Sequence, residues 1–221
     1  MSIEAIIFDV DGVLVQTDRL HERSWRALAQ REGLPFPDGL ADRLRGVSRE
    51  RSLELLLGDA HERCTPERRV ALMDAKNQLF LEAANALTPD DTIPGVRPLL
   101  AALREMGLRL AAASASRNAR LVLDRVGLSA LLHAVIDGHD APRAKPDPQC
   151  FLMAAEMLQT EPARCVVVED ALAGVDAAVN AGMAVVGVGP ARQDPRSARW
   201  LADLLLPTLP GLAHELPDPW K

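Results

Sequence analysis

Short apolar runs that alternate with helical segments constrain the fold of this chain more than any other feature of its sequence. After Pro94-Gly95 such runs recur at 108–113, 134–137, 165–168 and 184–188. The segments between and beside them have helical spacing, at 96–106, 117–126, 148–159 and 172–181. This alternation predicts a parallel sheet with helices on both faces. A further apolar run at 3–8 predicts another buried strand.

The sequence between Thr17 and Thr88 has a different texture, rich in Arg, Glu, Leu and Ala at helical spacing. It predicts helices at 20–32, at 51–57 and from Thr65 towards Leu87. We therefore predict an α/β fold with a Rossmann-like parallel-sheet core and an inserted small helical cap domain. The predicted domains are 1–16 with 89–221 for the core and 17–88 for the cap.

Lysine is rare in this chain, and the two internal lysines, Lys76 and Lys145, are therefore conspicuous. Among 25 basic residues only three are Lys, so the chain uses Arg nearly wherever a surface cation suffices. A compact ammonium has properties that a planar guanidinium lacks. We expect Lys76 at the edge of the apolar stripe of the long helix, its head reaching over a neighbouring surface. That stripe comprises Val70, Met73, Phe80, Leu81, Ala84 and Leu87.

Charge and composition exclude several classes of partner. A net charge of −6 argues against nucleic acid or an anionic membrane. There is no run of 18 apolar residues, and the N-terminal segment lacks the features of a signal peptide. The three cysteines are far apart, which favours neither a disulfide framework nor a zinc site. We expect a cytoplasmic monomer that acts on a small molecule, with a proline-punctuated tail wrapping the surface (Pro207, Pro210, Pro217, Pro219).

Polar side chains follow four of the predicted strands. Ligands of an open parallel sheet bind beyond the carboxyl ends of its strands. Four carboxylates, a hydroxyl and a lysine should therefore converge on one edge. The segments concerned are Asp9-Val10-Asp11-Gly12, Ser114-Ala115-Ser116, Lys145-Pro146-Asp147-Pro148 and Glu169-Asp170.

This set of residues is suited to phosphoryl transfer. Four acids in one place need a cation, and oxygen ligands without His or Cys favour Mg²⁺. Lys145 and the Ser114 hydroxyl would complete the surroundings of a bound phosphoryl group. A carboxylate can also attack phosphorus, giving an aspartyl-phosphate. Asp9 and Asp11 flank one residue, so in an extended segment one could attack while the other transfers a proton.

The motifs resemble the four ordered signatures of the haloacid dehalogenase superfamily of phosphotransferases. Within it, the second Asp is typical of members that handle phosphate esters. Further segments resemble the β-phosphoglucomutase family more closely. They are Thr17, 21–25, 46–50, Lys76-Asn77, 114–118 and 187–189.

The resemblance implies a role for each motif residue of the predicted core. Asp9 would be the phosphorylated nucleophile and Asp11 the general acid/base. Mg²⁺ would bind Asp9, the Asp11 carbonyl, Glu169 and Asp170. Ser114 and Lys145 would hold the transferring phosphate.

The remaining implied substrate contacts lie mainly in the predicted cap. Arg49, Ser116 and Asn118 would hold the second, distal phosphate of a bisphosphorylated sugar. His21 and Lys76 would sense substrate and help to align Asp11. Gly46, Ala115 and Trp25 complete the expected substrate-binding set. Gln16 and Arg117 depart from residues common in the family, which bears on fine specificity more than on the type of reaction.

The function that the resemblance implies is interconversion of β-D-glucose 1-phosphate and glucose 6-phosphate through β-glucose 1,6-bisphosphate. A sugar-phosphate phosphatase is the alternative, because the core motifs are common to both activities. A non-catalytic phosphate-binding protein is a third reading. Taken singly, Glu169-Asp170 fits a helix N-terminus, His21 a helix surface and Trp25 ordinary packing.

Overall fold

The structure, a computed structural model, describes residues 2–198. Within them one five-stranded sheet, parallel throughout, has the order β3-β2-β1-β4-β5. The strand alternation therefore gave the correct fold class. The strands are β1 (Ala5–Phe8), β2 (Arg109–Ala113), β3 (Ala134–Ile136), β4 (Cys165–Glu169) and β5 (Ala184–Gly187).

Eight α-helices are described in residues 2–198. Four of them follow β1 directly, and four accompany the strands of the sheet. They are α1 (Asp18–Arg31), α2 (Leu40–Arg43), α3 (Arg49–Leu57), α4 (Pro66–Ala84), α5 (Val96–Glu105), α6 (Ala119–Arg125), α7 (Gln149–Met157) and α8 (Leu172–Asn180).

Both faces of the sheet are covered, as a parallel sheet requires. On β1, Ile6 and Phe8 pack into one apolar cluster with α5 and α6. Ala5 and Ile7, which point the other way, pack into a second cluster with α7 and α8. All four side chains are fully buried. β1 is the central strand, so the residues that follow it emerge at the middle of the sheet edge.

The helices α1 to α4 have an apolar cluster of their own, which includes Trp25, Leu28 and Leu53. The two chain segments that lead to and from these helices lie side by side. Val15 pairs antiparallel with Thr92, and their neighbours exchange backbone hydrogen bonds of 3.0–3.1 Å. The domain boundary at 17–88 stays a prediction.

The predicted apolar stripe of α4 is wrong in part. Val70 is 53% exposed, and the buried face runs through Leu72, Lys76, Phe80 and Ala84. Lys76 is thus at the centre of the buried face, only 3% exposed, and not at its edge. The reason is a partner on another helix: the Lys76 ammonium bonds His21 of α1.

No helix within residues 2–198 is both long and apolar enough to cross a membrane. The three cysteines are free. The proline-punctuated tail falls outside the described residues.

Candidate active site

A buried group of charges lies at the carboxyl edge of the sheet. Asp9 follows β1, Glu169 ends β4, Asp170 follows it, and Lys145 comes from the connection between β3 and α7. Lys145 Nζ donates to Asp9 Oδ1 at 2.5 Å and to Glu169 Oε1 at 2.7 Å. Each of the four residues is at most 5% exposed. The structure therefore brings these four predicted site residues together.

The carboxylates of this group could hold a metal ion. One oxygen from each of Asp9, Glu169 and Asp170 lies within 4.8 Å of the others. Three buried carboxylates face one ammonium, so a divalent cation would offset charge that Lys145 alone does not. The donors are all oxygens, which fits a hard cation such as Mg²⁺. The Asp11 carboxylate lies outside this set.

Burial sets the ionisation of the group. It raises the pKa of Asp170 to about 7, and neighbouring Glu169 adds to the rise. Burial also raises the pKa of Asp9, against the opposing effect of Lys145. Burial alone would lower the pKa of Lys145, but the Asp9 and Glu169 carboxylates raise it well above its usual value. Lys145 is therefore a permanent cation. Further positive charge would stabilise the ionised form of the three carboxylates.

The Asp11 carboxylate has a separate set of partners. Ser114 Oγ donates to its Oδ2 at 3.2 Å, and the Thr17 hydroxyl donates to its Oδ1. His21 Nε2 lies 3.5 Å from the same Oδ1, which is long for a hydrogen bond. Burial alone would raise the pKa of Asp11, but these three partners lower it to about 2. Asp11 is thus an ionised carboxylate that can accept a proton.

Asp11 forms an isolated parallel β-bridge with Val15, just before a turn of the chain. The chain turns at Gly12, whose φ is +83° and whose N–H donates to Val15 O at 2.9 Å. A Cβ at Gly12 would lie 2.4 Å from Asp170 Oδ2. Glycine therefore permits both the turn and the close approach of the Asp170 carboxylate. Asp9 and Asp11 line the same cleft.

Lys76 is connected to Asp11 through His21. Lys76 Nζ lies 2.8 Å from His21 Nδ1, and also 4.8 Å from the centre of the Phe80 ring. Burial lowers the pKa of Lys76 to about 7, with a further contribution from Arg49. Burial and Lys76 in turn lower the pKa of His21. The contact joins α4 and α1 to the carboxylate that can take a proton.

The predicted site for the distal phosphate consists of three half-buried residues, Arg49, Ser116 and Asn118. Ser116 N–H donates to Ser114 Oγ at 2.9 Å, and Asn118 N–H donates to Ser116 Oγ at 3.2 Å. Burial and the nearby Arg117 lower the pKa of Arg49. Within residues 2–198 no carboxylate forms an ion pair with Arg49. Its guanidinium is therefore suited to an anionic ligand.

The three other predicted substrate residues also line the cleft. Gly46 has φ of +68°, and a Cβ there would lie 2.7 Å from Ala171 Cβ, so the insertion closely approaches the loop after β4. Ala115 follows Ser114 in the loop after β2. Trp25 is 2% exposed and belongs mainly to the apolar cluster of α1 to α4.

Sequence reasoning assigned no role to several polar residues of the site. Arg45 Nη1 lies 3.7 Å from Asp170 Oδ2, and Arg117 donates to Glu50 at 2.7 Å. Both contacts join residues far apart in sequence, so no local pattern identifies them. Thr17 precedes α1 and has the hydroxyl of a helix cap. Its side chain instead bonds Asp11, and makes no cap hydrogen bond.

Comparison with known proteins identifies the family. Residues 3–182 match the family model of haloacid dehalogenase-like hydrolases. The β-phosphoglucomutase of Bacillus subtilis (strain 168) is 40% identical over 189 residues, which are 85% of this chain and 84% of the relative. The chain belongs to the haloacid dehalogenase-like hydrolase family.

Solved structures and further relatives agree with this membership. A β-phosphoglucomutase from Clostridium difficile superimposes on this haloacid dehalogenase-like hydrolase with a TM-score of 0.81, at 35% identity and over 85% of both chains. A phosphorylated carbohydrates phosphatase from Thermotoga maritima is 32% identical over 184 residues, 82% of each chain. This haloacid dehalogenase-like hydrolase is an enzyme of the phosphotransferase and isomerase type.

Proposed function

We propose that this enzyme is a β-phosphoglucomutase, which interconverts β-D-glucose 1-phosphate and glucose 6-phosphate. The observation that supports the proposal is that two groups suited to phosphate lie at one cleft. One is Asp9 with its Lys145 partner, which a divalent cation on the neighbouring carboxylates would complete, and the other is centred on Arg49. A substrate with phosphate at both ends needs two such groups, whereas hydrolysis of a monophosphate needs one.

Asp9 is the nucleophile of the proposed reaction. At the start of the cycle the Asp9 carboxylate carries the phosphoryl group, with Lys145 and Ser114 beside it. The C6 hydroxyl of β-glucose 1-phosphate attacks this phosphorus and the bond to Asp9 breaks. Asp11 is ionised and accepts the hydroxyl proton. The products are β-glucose 1,6-bisphosphate and the free Asp9 carboxylate.

The second half of the cycle returns the phosphoryl group. The bisphosphate turns round, so that its C1 phosphate faces Asp9. The Asp9 carboxylate attacks that phosphorus while protonated Asp11 gives its proton to the leaving C1 oxygen. Glucose 6-phosphate leaves and the phosphorylated enzyme is restored. In both halves Arg49, Ser116 and Asn118 hold the phosphate that does not react.

Mg²⁺ fits the carboxylate set described above. Asp9, Glu169 and Asp170 would hold the ion, with the Asp11 carbonyl as a further ligand. When bound, it supplies positive charge that offsets the carboxylates and the oxygens of the phosphoryl group.

Residues 17–88 act in this proposal as a cap that keeps water from the aspartyl-phosphate. The contacts that support this role cross from the insertion to the sheet edge. They include the Arg117–Glu50 hydrogen bond and the close approach of Gly46 to Ala171. Exclusion of water is what separates a mutase from a phosphatase on one set of core residues.

The test is a coupled assay for glucose 6-phosphate. The enzyme is supplied with β-glucose 1-phosphate, a trace of β-glucose 1,6-bisphosphate and Mg²⁺, and inorganic phosphate is measured in parallel. We expect glucose 6-phosphate to form far faster than phosphate is released. Release of phosphate without glucose 6-phosphate would instead establish the phosphatase activity that the Thermotoga maritima relative's name describes.

A further inference from the structure

One side-chain oxygen of α4 accepts two hydrogen bonds that meet from opposite sides of the cleft. Asn77 Oδ1 accepts from Arg49 Nη2 at 2.8 Å and from Asn118 Nδ2 at 2.9 Å. Arg49 is the first residue of α3, within the helical insertion. Asn118 immediately precedes α6, on the sheet side. The Asn77 carbonyl thus joins two predicted phosphate-binding residues that no backbone contact holds together.

Asn77 stands behind the binding residues rather than among them. The residues that line the cleft include Arg49 and Lys76, and Asn77 is not one of them. It therefore acts through its neighbours. A neutral amide orients the Arg49 guanidinium without cancelling its charge, whereas a carboxylate in the same place would form an ion pair and compete with an anionic ligand.

The position of Asn77 on α4 couples the two ends of the cleft. The preceding residue, Lys76, contacts His21, and His21 lies against Asp11. One turn of one helix therefore supports both the distal anion site and the acid/base residue. A rigid helix fixes the distance between these two supports.

We propose that Asn77 is a positioning residue. Its side-chain carbonyl holds Arg49 and Asn118 in the orientation in which both bind the phosphate farther from Asp9. The inference rests on the proposed function, since it concerns the end of the substrate that carries the non-reacting phosphate. It adds a residue that supports the grip on that phosphate from outside the cleft.

The experiment compares Asn77→Ala with Asn85→Ala. Asn85, at the end of the same helix, accepts from Arg125 of α6 at 2.9 Å, so its replacement removes a similar bond away from the cleft. We expect Asn77→Ala to raise the KM for β-glucose 1,6-bisphosphate roughly 10- to 100-fold. Hydrolysis of 4-nitrophenyl phosphate, which has no distal phosphate, should change less than about twofold. Asn85→Ala should leave both within about twofold.

Two further variants separate positioning from mere structural support. Asn77→Asp keeps an acceptor for both donors but neutralises Arg49, so its KM for the bisphosphate should rise as well, without loss of melting temperature. In an Arg49→Ala background, Asn77→Ala should have a smaller effect, because one of the two residues through which it acts is gone. Full additivity of the two changes would overturn the inference.

The outcomes distinguish this inference from the proposed function. If the wild-type enzyme forms glucose 6-phosphate but Asn77→Ala lowers mutase turnover and aryl phosphate hydrolysis equally, the positioning role is wrong and the function stands. If the wild-type enzyme forms no glucose 6-phosphate, but Asn77→Ala weakens inhibition of aryl phosphate hydrolysis by the bisphosphate, the function is wrong and the positioning role stands. If the wild-type enzyme forms no glucose 6-phosphate and the bisphosphate does not inhibit its aryl phosphate hydrolysis, the proposed function and the positioning role are both wrong.

Discussion

The two internal lysines are equally buried, but their neighbours give their pKa values opposite shifts. Lys76 and Lys145 are each 3% exposed. Lys145 faces two carboxylates, which raise its pKa, whereas burial and the nearby Arg49 lower the pKa of Lys76 to about 7. The scarcity of lysine marks both positions in the sequence. The direction of each shift depends on partners remote in the chain, which the sequence pattern does not reveal.

Lys76→Met should stabilise the ligand-free enzyme at pH 6. The pKa of Lys76 is lower when folded than its usual 10.5, so burying the charge costs stability below pH 7, and the cost disappears as pH rises from 7 towards 10.5. The expected gain is on the order of 3–5 kcal/mol at pH 6, shrinking towards zero near pH 10. Denaturant unfolding at the two pH values measures it, and a gain independent of pH would contradict the cause.

Lys145→Met is the matched control for that experiment. It leaves two carboxylates buried without their ammonium, so we expect a loss of about 3–5 kcal/mol at pH 7 in the presence of EDTA. Added Mg²⁺ should recover part of the loss. Unchanged stability in this variant would mean that the buried ion pairs contribute nothing.

Asp9→Asn tests the nucleophile. The amide is nearly the same size but cannot attack phosphorus, so turnover should fall by roughly 10⁴-fold or more. Lys145 keeps its bond to Glu169, and we expect the melting temperature to stay within about 5 °C. Steady-state kinetics and a thermal melt together give the answer. Ordinary activity in a folded variant would mean that another group accepts the phosphoryl.

At the scale of elements, the turn after β1 is the part of the backbone that most directly shapes the site. It places Asp9 towards Lys145 and Asp11 towards Thr17, although only one residue separates them. The turn requires a positive φ at Gly12, and the Asp170 carboxylate occupies the space that a Cβ would need.

Gly12→Ala should therefore abolish turnover, and Gly107→Ala is its control. Both glycines have φ near +80°, but nothing lies within 4 Å of a Cβ at Gly107. Each variant should lose about 1 kcal/mol of stability to backbone strain. Gly12→Ala alone should also displace Asp170 and weaken Mg²⁺ binding, measured by calorimetry. Equal effects on Mg²⁺ binding in the two variants would refute the role of the Asp170 contact.

The elements themselves were largely predictable from sequence. The strands and the long helices lie within a few residues of their predicted bounds, because apolar runs and helical spacing report burial locally. The short helix α2 was not predicted, since four residues after Gly39 carry no periodic signal. The buried face of α4 was misjudged for a different reason: Lys76 enters it because of His21, 55 residues away.

At the scale of the whole molecule, the site is divided between the sheet edge and the helical insertion. The residues on the sheet edge were predictable, because the topology of a parallel sheet alone brings the ends of β1, β2 and β4 together. The contacts across the cleft were not, because they depend on how the insertion rests on the sheet. Asn77 is the clearest example, since its two partners lie 28 and 41 residues away.

Arg49→Ala tests whether the helical insertion binds the distal phosphate. The distal grip matters for a substrate with two phosphates and not for a small aryl phosphate. We expect mutase turnover with β-glucose 1-phosphate to fall at least about 100-fold, and 4-nitrophenyl phosphate hydrolysis to change less than about threefold. Parallel kinetics on the two substrates provide the measurement. Equal losses would mean that Arg49 supports the general fold of the site.

The pairing of Val15 with Thr92 has a consequence for how such an enzyme can diversify. The polypeptide leaves the sheet and returns to it at neighbouring points. The stretch between Val15 and Thr92 is therefore an insertion that begins and ends at one place, like a loop. In the proposed function, a change of residues within that stretch would alter which molecule binds and leave the buried charges at the sheet edge in place.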